Sequence, residues 1–182
     1  LPDYDGPEDD GHPGEIYRYA ESQDGHEWSY PQLGLYPFDD GGRNNICLVG
    51  DTPCTHNLSP FLDTRPGVDE SERFKALAGV YWTGLFAFVS SDGKSWRLAQ
   101  ENAVIPTQYR ENNQTYMFDS QNVSFWSEAE GCYVCYFRTL ETPHGRLRSI
   151  SRITSTDYIH WENRQDLQPN DPGEHLYTSQ TH

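Results

Sequence analysis

An all-β fold assembled from propeller blades is what this sequence predicts, and three observations carry the prediction. One phrase occurs three times: Ser22-Gln23-Asp24-Gly25-His26-Glu27-Trp28, Ser90-Ser91-Asp92-Gly93-Lys94-Ser95-Trp96 and Ser155-Thr156-Asp157-Tyr158-Ile159-His160-Trp161. Ser, Asp and Trp keep their offsets, and the tryptophans stand 68 and 65 residues apart. Each copy follows an apolar or alternating run (Ile16–Ala20, Leu85–Val89, Ile150–Thr154) and precedes a second short extended segment. That order is strand, tight turn, strand, in which the Asp and Ser side chains bond the turn backbone and Gly accepts positive φ. A hairpin that returns at such a period marks one blade repeated.

Composition agrees. Of the 182 residues 14% are aromatic, which suits β structure and supplies large buried areas although hydrophobic content is only 35%. A single Met and few Leu- or Ala-rich stretches argue against a helical protein. The net charge of −15 repels phosphate backbones and excludes a general nucleic-acid binder. No run reaches the length of a membrane span, and no basic-then-apolar leader stands at the start.

In chain order, residues 1–14 read as an acidic loop. Its Asp-x-Asp-Gly lacks the spaced ligands of a calcium loop. Residues 15–182 read as a partial propeller, with blade parts at approximately 15–50, 51–115, 116–170 and 171–182. The first marked hairpin runs from Ile16 to about Pro31, and Ile46–Val49 is a short strand. His56–Asp63 is an extended run, Arg73–Tyr81 a strand, Gly84–Leu98 the second marked hairpin, and Ala103–Pro106 an outer edge. Phe118–Trp126 and Cys132–Arg138 form an inner hairpin across the Ser127–Gly131 turn. Arg146–Trp161 is the third marked hairpin, with Glu162–Leu167 as the outer strand. Two whole blades and pieces of two more do not close a ring, so the sequence is expected to be part of a longer protein. The four cysteines are expected as free thiols, with a Cys47–Cys54 pair across the Gly-Asp-Thr-Pro turn as the alternative. Cys132 and Cys135 point to opposite faces of one strand, and Cys47 and Cys54 lack the spacing of a zinc knuckle.

Polar clusters stand where each inner strand begins: His56, Asn57 and Ser59 with Asp63; Asp119, Ser120, Gln121 and Asn122; Glu174 and His175 with Tyr177 and Gln180. Inner strands of a propeller start near its axis, so these groups are expected to share one pocket. Carboxylates converging from neighbouring blades suit glycoside hydrolysis, in which one acid protonates the leaving oxygen and another acts as nucleophile or base. Glu174 is the expected acid and Asp119 its partner, with Asp63, His56 and Asn57 tuning the acid or holding sugar hydroxyls. Gln121, Asn122 and His175 add polar contacts, and Trp82, Tyr116, Phe118 and Tyr177 offer stacking faces. No cofactor or metal is expected. The bland alternative is that these acids cap strand ends.

The runs Phe118–Trp126, Arg148–Trp161 and Glu174–His182 resemble bacterial five-bladed β-propeller glycosidase-like proteins, of the glycoside hydrolase family 32-like and family 43-like group. The resemblance spans roughly residues 15–182. It implies a five-bladed propeller, a carbohydrate substrate and an extracytoplasmic site of action. Of the family 32 motifs, Arg-Asp-Pro and Glu-Cys do not occur here, and Asn-Asp-Pro occurs once, as Asn170-Asp171-Pro172 just before Glu174. Phe118-Asp119-Ser120 is at best the counterpart of the second and Glu174-His175 of the third. The nucleophile blade lies outside this sequence, or Asp63 stands near its place. The alternative function is a non-catalytic carbohydrate-binding propeller.

Overall fold

The computed structural model describes residues 4–7, 9–38, 41–50, 55–107, 117–119, 121–140, 145, 147–167 and 173–176. Two four-stranded antiparallel sheets form its centre. The first holds, in order, β3 (Ser59–Leu62), β4 (Phe74–Val80), β5 (Gly84–Ser90) and β6 (Arg97–Leu98). The second holds β7 (Val123–Ser127), β8 (Cys132–Thr139), β9 (Ser149–Ser155) and β10 (Trp161–Asp166). Both run as consecutive up-and-down strands, the arrangement of a propeller blade. A third, two-stranded sheet pairs β1 (Ile16–Arg18) with β2 (Ile46–Val49). One 3₁₀ turn, Glu70–Glu72, is capped by the Asp69 side chain, and no α-helix occurs among the described residues.

The three repeated phrases make one turn three times. The Ser hydroxyl receives the amide of the residue three on: Gly25 at 2.8 Å, Gly93 at 2.9 Å and Tyr158 at 2.9 Å. One Asp oxygen receives the next two amides at 2.8 to 2.9 Å in every copy. The indole N–H of Trp28 and of Trp161 donates back to the turn carbonyl. Each turn thus satisfies its own polar groups, as its local chemistry requires. The third copy differs where Gly is replaced. Tyr158 takes φ +71°, a conformation that costs a side-chain-bearing residue roughly 1–2 kcal/mol. Its ring is only 1% exposed and packs edge-on to Tyr133, Phe61 and Trp161. Burial of an aromatic ring offsets that cost.

The first four-stranded sheet is covered on both faces, which explains why β4 and β5 read as apolar runs without alternation. Leu77, Leu85 and Ala87 face the second sheet, in a core with Tyr133, Cys135, Phe137, Ile153 and Tyr158. Ala76, Ala78, Phe86 and Phe88 face the other way, toward Leu48 and Tyr17 of the β1–β2 pair. Face-to-face packing of successive sheets is what a propeller requires. The β4–β5 hairpin closes through Gly79 at φ +146° and Gly84 at φ +78°. A Cβ on Gly79 would stand 1.9 Å from the Gly84 carbonyl oxygen.

Ala103–Pro106 lies on the outer side of β5 as expected: Ile105 bridges Leu85 antiparallel, Val104 donates to the Leu85 carbonyl at 2.8 Å, and both side chains are buried. Their apolar side chains belong to the core between the sheets. The inner run beginning at His56 is strand only from Ser59. Cys47, Cys132 and Cys135 are free thiols, and burial pushes the Cys135 thiol well up. Cys54 lies outside the described residues.

Candidate functional site

Strand direction decides which residues can meet. The inner strands β3 and β7 lie side by side and point the same way. Asn57, ahead of β3, reaches the Phe118 carbonyl ahead of β7 at a long 3.5 Å. At the far end, Asp63 meets Tyr133, whose strand partner is Trp126 near the end of β7. Antiparallel pairing then brings the β4–β5 tip, the end of β8 and the start of β9 to the same side as the two inner-strand starts. His56, Asn57, Trp82, Asp119, Gln121, Asn122, Glu174 and His175 therefore share one end of the sheets.

Asp63 does not join them. It lies six positions past Asn57, about 20 Å along an extended chain at ~3.3 Å per residue. Its side chain is buried between the sheets, where it pairs with Lys75 Nζ at 3.1 Å and accepts the Tyr133 hydroxyl at 2.6 Å. Lys75 is itself only 3% exposed. Burial pushes the Tyr133 phenol well above its ordinary value, and the bond to the Asp63 carboxylate pushes the same way. This is a polar node that ties one four-stranded sheet to the other.

At the shared end, Asp119 is half exposed and its carboxylate stands 3.0 Å from Arg138 Nη1. Arg138 is the last residue but one of β8 and is 7% exposed. The loop that carries Asp119 is held in unusual backbone geometry. Asn57, Phe118 and Gln121 have φ of +58°, +66° and +37°. Such strain in residues other than glycine gathers at functional sites, where surrounding contacts enforce it. Here the buried Phe118 ring packs on Phe137, and the Asn122 amide donates to the Phe118 carbonyl at 3.0 Å. Asn122 is fully buried and its Oδ1 has no partner. It supports the loop from beneath and is not placed to touch a ligand directly.

Glu174 is exposed. Beside it, His175 Nδ1 accepts the Arg148 amide at 3.0 Å, and the Leu176 amide donates to the Arg148 carbonyl at 2.8 Å. The segment is thereby pinned to the start of β9. Trp82 is 43% exposed at the β4–β5 tip and stands edge-on to Tyr81, with centroids 4.5 Å apart. Tyr177, Tyr116, Ser120 and Gln180 lie outside the described residues.

An open groove of about 440 Å³ lies at this end, lined by Glu15, Tyr17, His56, Asn57, Leu58 and Gln121. A larger depression, about 700 Å³, lies over the first marked turn. Its Ser22 and Asp24 are spent on the turn itself, so the smaller groove is the better candidate. Sequence reasoning missed two residues here. Glu15 stands before a strand read as part of an outer hairpin, and its partner His56 is 41 positions away. Arg138 sits at the end of a strand, not at a start, and only the antiparallel return brings it to Asp119. Among the described residues no His, Cys, Asp and Glu cluster fit for a metal ion is present, and no helix is long and apolar enough to cross a membrane.

No family model matches this chain, and no curated protein matches it. Among solved structures it is similar to a glycosyl hydrolase from Bacteroides ovatus, at 13% identity and a TM-score of 0.46. The alignment covers 82% of this chain and 43% of that one, so this chain spans less than half of its length. A likeness of that degree carries no argument about activity.

Proposed function

We propose that this protein is a glycoside hydrolase-like propeller that cleaves glycosidic bonds with Asp119 and Glu174. The observation that supports the reading is the gathering of both acids at one end of the sheets, beside an amide-lined groove and an exposed indole. Glu174, which is exposed, takes the role of proton donor to the leaving oxygen. Asp119, held by Arg138, acts as nucleophile, base or stabiliser of the oxocarbenium-like transition state. Trp82 offers a stacking face for a sugar ring, and Asn57 and Gln121 offer amide groups to its hydroxyls. In this proposal the two blades belong to a five-bladed ring of the family 32-like and family 43-like kind. Its substrate is a plant or algal oligo- or polysaccharide met outside the cytoplasm.

The Arg138 contact favours one rival. A carboxylate tied to a buried arginine also serves a non-catalytic carbohydrate-binding propeller. Release of reducing sugar from a panel of oligosaccharides separates the two. A hydrolase loses 10²–10⁴-fold in rate in Asp119→Asn and in Glu174→Gln. A binding propeller shows no turnover in the unaltered protein and still binds sugar as Asp119→Asn.

A further inference from the structure

The pair formed by Glu15 and His56 has no part in the catalytic roles given to Asp119 and Glu174. The Glu15 carboxylate lies 2.6 Å from His56 Nδ1, across 41 residues of sequence. Its backbone is pinned at both polar groups. The amide donates to the His12 carbonyl at 3.1 Å, and the carbonyl accepts Gly50 N–H at 2.7 Å. The same carboxylate oxygen also receives the Gly11 amide at 2.9 Å. Its second oxygen is buried without a partner. Neighbouring Asn57 and Gln121 both hold positive φ, so strained backbone, a charged pair and an open groove coincide.

Hydrogen-bond chemistry gives the pair a direction. An ionised carboxylate only accepts, so the imidazole must donate through Nδ1. In a neutral ring the remaining nitrogen, Nε2, is then an acceptor. Asp10, mostly exposed, is 3.9 Å from Nε2, beyond hydrogen-bond reach. The other polar groups lining the groove include the side-chain amides of Asn57 and Gln121, over the apolar surface of Leu58 and Ile16. Acceptor, amides and apolar floor together match a sugar ring, with its hydroxyl edge and its C–H face.

We propose that Glu15 is a positioning residue that fixes the His56 tautomer, so that Nε2 accepts a hydrogen bond from a hydroxyl of a neutral sugar in this groove. The assignment of sugar as ligand rests on the function proposed above; the tautomer does not. Anionic sugars are disfavoured, since Glu15 and Asp10 both flank the ring. Glu15→Gln keeps the shape and replaces an ionised acceptor by a weaker, neutral one at the oxygen shared with the Gly11 amide, so the preference for a proton on Nδ1 falls.

Nitrogen-15 NMR of the imidazoles, with His56→Gln to assign the signals, reads the tautomer without any ligand. The expected result is Nδ1–H in the unaltered protein and a shift toward Nε2–H in Glu15→Gln. Titration with sucrose, xylobiose and galactobiose reads the second half. Glu15→Gln and His56→Gln should each weaken the bound disaccharide about tenfold, and the double variant should be no weaker than His56→Gln alone. An Nε2–H tautomer in the unaltered protein overturns the proposal, as do additive losses in the double variant. If none of the three sugars binds, the ligand assignment falls together with the proposed function, while the tautomer still judges the pair.

Discussion

Replacing Asp63 by Asn distinguishes a structural acid from a catalytic one. The substitution keeps the shape and removes the charge. Lys75, 3% exposed, would lose the carboxylate now 3.1 Å from its ammonium. Removing one partner of a buried ion pair costs about 3–5 kcal/mol, because the other charge stays buried. The Glu72 carbonyl remains 2.8 Å from Lys75 Nζ, and an amide oxygen can still accept from Tyr133. These compensations put the loss near ~3 kcal/mol. At about 2–4 °C per kcal/mol for a chain of this size, Tm should drop by ~6–12 °C. Urea unfolding followed by tryptophan fluorescence gives the free energy directly. Asp63→Leu combined with Lys75→Met should recover most of the loss, since a buried pair replaced by apolar groups is often near neutral. Stability within ~0.5 kcal/mol of the unaltered protein would refute the node. A loss of turnover at unchanged stability would place Asp63 with the catalytic groups after all.

Tyr158→Phe should cost about 1–3 kcal/mol in urea unfolding, because it strips the 3.0 Å partner from the buried Ser124 hydroxyl. Gly79→Ala should cost ~2–5 kcal/mol by the same assay, since its Cβ meets the Gly84 carbonyl and its φ is unsuited to a side chain. Asp157 gives a pH dependence. Burial pushes its carboxyl up, but His160 beside it, the amides of His160 and Ile159 and the Ser155 hydroxyl outweigh that and hold it well below the usual range. A carboxyl depressed on folding stabilises fully above its unfolded value of about 3.9, and that contribution is lost as pH falls from there through the lower folded value. The Tm advantage over Asp157→Asn should therefore be full above about pH 5 and shrink toward pH 3. Trp82→Ala should leave Tm nearly unchanged, the ring being 43% exposed, and weaken oligosaccharide binding about tenfold in calorimetry.

What was legible in the sequence was what the chain settles locally. Each marked turn closes with side chains two and three positions from the amides they receive, so Ser, Asp and Gly at fixed offsets disclose it. Strands β4 and β5 were legible as apolar runs, because each is covered on two faces. The placement of site residues depended on longer reach. Asp63 looked like one more polar group at an inner-strand start, but its fate is set by Tyr133, 70 residues on. Glu15 showed no signal, since its partner His56 is distant and β1 pairs with a strand 30 positions later. Tyr158 looked like an interrupted turn motif. Only the core around it shows why a tyrosine stands there at positive φ. Asp119 was legible at that end because it stands just ahead of β7, whereas the place of Glu174 is set by the bonds of His175 and Leu176 to Arg148 at the start of β9.

The most direct measurement is the separation of the Asp119 and Glu174 carboxyl groups in a crystal structure with an oligosaccharide bound. The account predicts ~5 to ~9.5 Å with the glycosidic oxygen between them, the shorter end marking retention of configuration. Carboxyl groups farther apart than that, or turned away from the sugar onto backbone amides, would contradict it.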